Sequence, residues 1–474
     1  MEITVLHCHT ILLSLAFLGI TIGCSGTNRQ LHDFGVSAHN PELKQSRSFY
    51  PNEDNTLSQQ SLPENYARRV KKFSYKEVQS IALGWADRFF GFKFSSIVNC
   101  YKSLLPTTGS SSEEQVEAEG LKLDHHKMFF IFGDSLFDAG NNIYLDGKYS
   151  PAAYYPFGFT YFTNATGRLC DGRIVPDFIA QFANLPPIPP SLQPGATISY
   201  GVNFASAGAT VLDSYPGQSL KYLNLRKQLS QFKEVTRKLN ATLGSSRTRE
   251  VLSKAVYLFS IGGDDYGDYY SNLAEEGRSP TWSEQQQQVN AVISNLTRAL
   301  TEIYEQGARK IAFQNVGPMG CVPQFQINYP NLSWSCAPEL LSMPILHNKE
   351  LYGALTDFAE RLEGFKFSVF DYFSSLLDRI DHPSDYGFES GSTPCYVSND
   401  NGYKGLGSDK SGNTKLCEYP AAYLFFDVYG HTTQHANQQL AKLIWDGDPS
   451  ITRPYNMKEL FEENNPYVKL PKNK

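Results

Sequence analysis

Phe130-Ile131-Phe132-Gly133-Asp134-Ser135-Leu136-Phe137-Asp138-Ala139-Gly140-Asn141-Asn142 joins an apolar, β-prone run at 128–132 to a turn that carries a serine. Open α/β sheets bind ligands in the crevice beyond the carboxyl ends of their strands, and a serine at such an end points its hydroxyl there. Gly133 lets the backbone bend tightly, and Asp134 suits the turn chemically. Taken alone, Gly-Asp-Ser is also an ordinary surface turn. The remainder of the chain decides its meaning.

From Lys127 onwards strand-like and helix-like segments alternate. Strands are expected at 128–132, 200–204, 255–261, 310–316 and 365–370. Between them, Val289, Ile293, Leu296, Leu300 and Ile303 mark one face of a helix ending at Gly307, and Leu225, Leu229, Phe232 and Leu239 mark another. Such alternation implies an α/β fold, a central parallel sheet covered by helices on both faces. Residues 372–422 interrupt the rhythm with a Gly/Asn/Ser-rich excursion, expected to be a loop.

The chain has 474 residues, 41% hydrophobic and 19% charged, which is globular composition with room for a large core. A net charge of -6 gives no basis for a nucleic-acid partner. The apolar stretch 11–22 is shorter than the roughly 20 residues of a bilayer span. Small residues follow it, so 1–25 reads as a cleaved signal peptide, leaving no integral membrane segment in the mature chain. The expected location is extracellular (apoplast or cell wall) or vacuolar. Sequons at Asn164, Asn240, Asn295 and Asn331 agree with secretion.

Residues 26–126 read as an extension, largely disordered or partly helical, with Val78, Ile81, Trp85 and Phe89 sharing one helical face. It could be a propeptide, a docking segment or an artefact of gene prediction. The catalytic domain is expected at 127–450, followed by a tail at 451–474. Outside the signal, Cys321 with Cys336 and Cys395 with Cys417 each bracket a Pro/Gly/Asn-rich loop that a disulfide would restrain. Other connectivities remain open, and Cys100 and Cys170 are candidates for free thiols.

Three further segments bear on Ser135. Gly201-Val202-Asn203-Phe204-Ala205-Ser206-Ala207-Gly208-Ala209 is a strand running into a small-residue turn, where a backbone N–H can approach a substrate. Phe259-Ser260-Ile261-Gly262-Gly263-Asp264-Asp265-Tyr266 is a second strand-to-turn unit. Asp427-Val428-Tyr429-Gly430-His431 places an acid four residues before a histidine. A serine nucleophile needs a base, and the base needs a partner that fixes its tautomer. Ser135, His431 and Asp427 supply those three roles.

These ordered motifs, with Thr166-Gly167-Arg168-Leu169-Cys170-Asp171-Gly172-Arg173 and Asn315-Val316-Gly317-Pro318, resemble the plant GDSL esterase/lipase family within the SGNH hydrolase superfamily. The resemblance spans 127–447 and leaves the extension outside. It implies a three-layer α/β/α, flavodoxin-like fold with Ser135 as nucleophile, His431 as base and Asp427 orienting it. The oxyanion hole would use the backbone N–H groups of Ser135 and Gly208 and the side chain at position 264. It implies hydrolysis of lipid or small acyl esters through an acyl-enzyme, with no metal and no cofactor. Some relatives transfer acyl groups instead, and myrosinase-associated relatives suggest a non-catalytic role with a protein partner.

The chain departs from the family at three positions. Asp264 replaces an asparagine, and an ionised aspartate cannot donate to an oxyanion. Losing one such donor costs a factor of roughly 10²–10³ in turnover, so either an impaired or an acid-shifted enzyme is expected. Three residues rather than two separate Asp427 from His431; a helix start or a bulge at Gly430 would absorb the extra one. Gln434 replaces a glutamate, with structural consequences expected. Asp138, Asn141 and Asn142 are expected to build the turn after Ser135. His431 and His435 lack a third ligand at metal-binding spacing. Arg168 and Arg173 could pair with acids near the site or stay at the surface.

Overall fold

The computed structural model describes residues 127–146, 150–213, 222–324, 336–397 and 415–462. The expected signal peptide and extension at 1–126, with Cys100, and the sequon at Asn331 lie outside the described residues. The five expected strands form with ends within two residues of expectation: β1 (Phe129–Gly133), β2 (Gly201–Asn203), β3 (Val256–Ser260), β4 (Lys310–Gln314) and β5 (Lys366–Phe370). Nearly every residue in them is buried, so each reads as a continuous apolar run rather than an alternation. A two-stranded ribbon, β6 (Tyr396–Val397) and β7 (Lys415–Leu416), stands apart, and β8 (Thr452–Pro454) completes the main sheet.

The main sheet runs β2-β1-β3-β4-β5-β8. The first five strands are parallel, the flavodoxin-like order, whose direction of growth reverses between β1 and β3. β8 pairs antiparallel to β5. Residues 451–462, expected as part of a tail, thus belong to the domain. Their strand is too short for a periodic signal, and Pro454 suits only an edge.

Among the described residues ten helices accompany the sheet. They are α1 (Asn141–Asp146), α2 (Val175–Phe182), α3 (Leu225–Leu243), α4 (Ser245–Lys254) and α5 (Gly263–Glu275). There follow α6 (Trp282–Glu305), α7 (Ser342–Arg361), α8 (Tyr372–Asp381), α9 (Gln434–Asp446) and α10 (Met457–Glu462). The expected loop at 372–422 therefore opens with a helix. Tyr372, Leu376 and Arg379 form its buried face, a signal diluted by the serines and aspartates around them.

Alternation along the strands divides the core in two. Phe130, Phe132, Tyr257, Phe259, Ile311 and Phe313 face the layer of α3 to α7. Phe129, Ile131, Val256, Leu258 and Ala312 face α2, α8, α9 and α10. Phe259 stacks between Phe132 and Phe313, with ring centroids 4.7 and 5.0 Å away. Truncating such a ring to alanine costs about 3–5 kcal/mol. Phe132 and Phe259 are followed directly by Gly133 and Ser260, where the strands run into the turns that line the cleft.

Candidate active site

Ser135 follows β1 at the point where strand order reverses. Three contacts fix its turn. The Asp134 N–H donates to Ser260 O across the β1/β3 boundary at 3.0 Å. Gln228 in α3 accepts the Gly133 N–H at 3.0 Å and donates back to Gly133 O at 2.8 Å. Gln228 is wholly buried. It was absent from the expected helical face, although a polar residue between Leu225 and Leu229 on that face was the available signal.

A second buried acid ties the β1 turn to the β2 turn. Asp138 accepts backbone N–H groups from Gly140, Asn141 and Ala207 at 2.7, 2.6 and 3.0 Å. Asn141 donates to Asn203 O and Ala205 O, and Asn142 to Ala207 O. The expectation that these residues build the turn holds, and Asn142 also lines the cleft. Burial raises Asp138 to about 6 despite those donors. Gly208 adopts φ +81, which an L side chain resists. This conformation brings its backbone to the cleft.

His431 is presented by a loop rather than a helix start. Asp427 Oδ2 lies 2.6 Å from His431 Nδ1. Asp427 Oδ1 accepts the backbone N–H groups of Tyr429 at 3.0 Å and His431 at 3.2 Å. The loop closes where Phe426 N–H donates to His431 O at 2.7 Å, and α9 begins only at Gln434. Gly430, at φ +91, absorbs the additional residue between acid and base. Of the two routes expected for the longer spacing, the bulge is the one formed. Both side chains are buried.

Asp264 occupies the first turn of α5. Its neighbour Asp265 turns away and accepts the N–H groups of Val211 and Leu212 at 2.8 and 2.9 Å. Asp264 is only half-buried as a residue, yet its Oδ2 is sealed from solvent and has no hydrogen-bond partner among the described residues. Burial, then the Asp268 carboxylate, pushes its titration from 3.8 up to about 7, while His431 pulls the other way. A helix N-terminus favours the ionised form by about 0.3–1 kcal/mol, less than one pH unit. Desolvation wins. Burial and Asp264 together also push Asp134 well above the carboxylate range.

Ser135, Gly208, Asp264 and His431 line one cleft of about 450 Å³, together with Asn315 to Met319 and Tyr372. That volume falls within the range of small-molecule sites. Disulfides Cys321–Cys336 and Cys395–Cys417, the pairs expected from their loops, are both present. Cys170 is a buried free thiol. Asn315 holds the turn before α8, accepting the Phe373 N–H at 2.9 Å.

Arg168 is buried against Asp177 through two bonds of 2.8 Å, rather than lying at the surface. Arg173 packs over Tyr161 and Phe178. Gln434 accepts the Arg173 N–H at 2.9 Å, a structural role. His435 bonds Gln439, and among the described residues no cluster of acids, His or Cys could hold a metal. Asn164 and Asn240 are exposed, whereas the Asn295 amide donates to Ala291 O along its own helix. Among the described residues no helix is long and apolar enough to cross a membrane.

The sequence pattern of the family described as GDSL-like Lipase/Acylhydrolase matches residues 129–444. "GDSL esterase/lipase 1" of Arabidopsis thaliana is 41% identical over 347 residues, covering 71% of this chain and 90% of that protein. "GDSL lipase" of Tanacetum cinerariifolium is 38% identical over 360 residues, covering 75% and 90% respectively. "Inactive GDSL esterase/lipase-like protein 25" of Arabidopsis thaliana is 38% identical over 335 residues, covering 70% and 74%. With the match running from β1 to the end of α9, through every segment that lines the cleft, the chain belongs to the GDSL-like lipase/acylhydrolase family.

Proposed function

We propose that this GDSL-type hydrolase is a secreted serine esterase that cleaves lipid or small acyl esters through an acyl-enzyme. The 2.6 Å contact of Asp427 with His431, which lines one cleft with Ser135, carries the reading. With Nδ1 held by Asp427, Nε2 is the nitrogen that takes the serine proton. Ser135 Oγ bonds the ester carbonyl carbon, and the carbonyl π electrons move onto oxygen to form the oxyanion. On collapse the bond to the leaving alcohol breaks, and His431 returns its proton to that oxygen. Water repeats the cycle, releasing the acid and restoring Ser135. An alcohol in place of water would make the same site an acyltransferase.

Two polar edges, the Ser135 and Gly208 backbones, face a cleft wall of Leu136, Leu169, Val316, Met319 and Leu376, which suits an acyl chain. Labelling with a fluorophosphonate, using Ser135→Ala as the control, tests the nucleophile. Labelling that survives the substitution, or a folded protein that never reacts, overturns the reading. The second outcome would favour an accessory binding role with a protein partner. That alternative draws on Asp264 and on the relative whose name describes it as inactive.

A further inference from the structure

We propose that Asp264 works as a neutral carboxylic acid, donating its own O–H to the oxyanion beside the Ser135 and Gly208 backbones, and that this confines efficient turnover to acidic solution. The inference rests on the ester-hydrolase reading above. The side chain lines the cleft that holds Ser135, Gly208 and His431, so its placement is that of a third donor. Its Oδ2 is sealed from solvent and receives no hydrogen bond among the described residues. A buried carboxylate anion without a donor is strongly disfavoured, whereas the protonated acid carries its own donor.

The charged surroundings point the same way. Asp134 faces it from the turn after β1, Asp265 and Asp268 from α5, and Tyr222 from the segment before α3. Against them, His431 from the loop before α9 favours ionisation, together with the N-terminus of α5. Among the described residues no lysine or arginine lines the cleft. Asp265, the adjacent acid, cannot substitute, because its oxygens are occupied by the backbone of Val211 and Leu212.

The chemistry then depends on two protons. The base must be neutral to accept the serine proton, which limits turnover at low pH. The donor must stay protonated, which limits it as pH rises through the titration of Asp264 near 7. During acylation the Asp264 proton is shared with the oxyanion and returns on collapse, so no proton is consumed. An asparagine at this position would donate at every pH.

The test is kcat/KM for p-nitrophenyl acetate from about pH 4.5 to about 9, followed at the isosbestic wavelength, for wild type, Asp264→Asn and Asp264→Ala. Fluorophosphonate labelling of Ser135 is run over the same range. The asparagine variant should exceed wild type by roughly 10² at the alkaline end, where about one wild-type molecule in 100 keeps the proton, and converge on it near pH 5, where the alanine variant stays well below both. A ratio of asparagine variant to wild type that does not change with pH overturns the inference. So does an alanine variant equal to wild type near pH 5. An active asparagine variant beside a wild type silent at every pH also overturns it, while leaving the hydrolase reading intact. No labelling and no turnover in any of the three overturns that reading, and the inference with it.

Discussion

Asp427 grips His431 at two points, with Oδ2 2.6 Å from the ring Nδ1 and Oδ1 accepting the backbone N–H at 3.2 Å. One carboxylate therefore fixes both the tautomer of the ring and the loop that presents it. Asp427→Asn should retain the fold, because an amide oxygen can still accept the backbone bonds. The wrong tautomer would then be favoured, and on the proposed mechanism kcat is expected to fall by roughly 10⁴, the effect of this change in a Ser-His-Asp triad. Steady-state ester hydrolysis measured against a Ser135→Ala baseline checks this. A fall of less than about tenfold would mean that some other group orients the ring.

Gly430 makes that grip possible. A Cβ on its backbone would sit 2.7 Å from Val322 Cγ1 and 3.0 Å from Val322 Cβ, at a φ of +91. Gly430→Ala is expected to cost about 1–3 kcal/mol of stability from backbone strain and to displace His431. Thermal melts and kcat should both fall. Adding Val322→Ala should recover the steric part only. Full recovery would show that backbone strain contributes nothing.

What could be read from the sequence followed the range of the signal. All five parallel strands were legible, because burial on both faces writes them as apolar runs bounded by turns. Ser135, Gly208, Asp427 and His431 were legible as motifs, since each lies at a strand end or a loop with distinctive neighbours. Gln228, 95 residues from the glycine it clamps, was not. Nor was Asp138 as the link to Ala207, 69 residues away. Such contacts are products of topology, and no local pattern announces them. The edge strand β8 and helix α8 were missed for a different reason: both are short, and their polar residues dilute the periodicity. The turn of Asp265 into the protein, away from the cleft, and that of Asp264 towards the cleft are likewise indistinguishable until α5 sets their directions.

The segment that brings Met319 to the cleft carries a covalent staple. Cys321–Cys336 spans 15 residues and anchors the segment just after Met319, which lines the cleft. Ala337 N–H also donates to Gly320 O at 2.9 Å. A loop of that length is expected to contribute about 3 kcal/mol by restricting the unfolded chain. Replacing both cysteines by serine should lower the denaturant midpoint accordingly and raise KM more than it lowers kcat. An unchanged midpoint would show that the loop is held by its packing alone.

Asp264 also links pH to stability, and the sign follows from where its proton resides. In the unfolded chain it titrates at 3.8, and in the folded protein at about 7. The native state therefore holds the proton more tightly. Its stabilising contribution is complete below about pH 4 and is lost as pH rises through about 7. At alkaline pH the buried charge costs the fold on the order of 4 kcal/mol. Asp264→Asn carries no such charge. The variant should melt close to wild type near pH 4, gain on it steadily to about pH 7, and keep a constant lead above that. Asp138 is also raised, but it does not depend on Asp264 and cancels in the difference. Asp134 and Asp265 are raised in part by Asp264 itself, so removing its charge lowers both and widens the lead in the same direction. Melting curves of the pair across this range decide the matter, and a gap that does not vary with pH would show that Asp264 is ionised in the folded protein throughout.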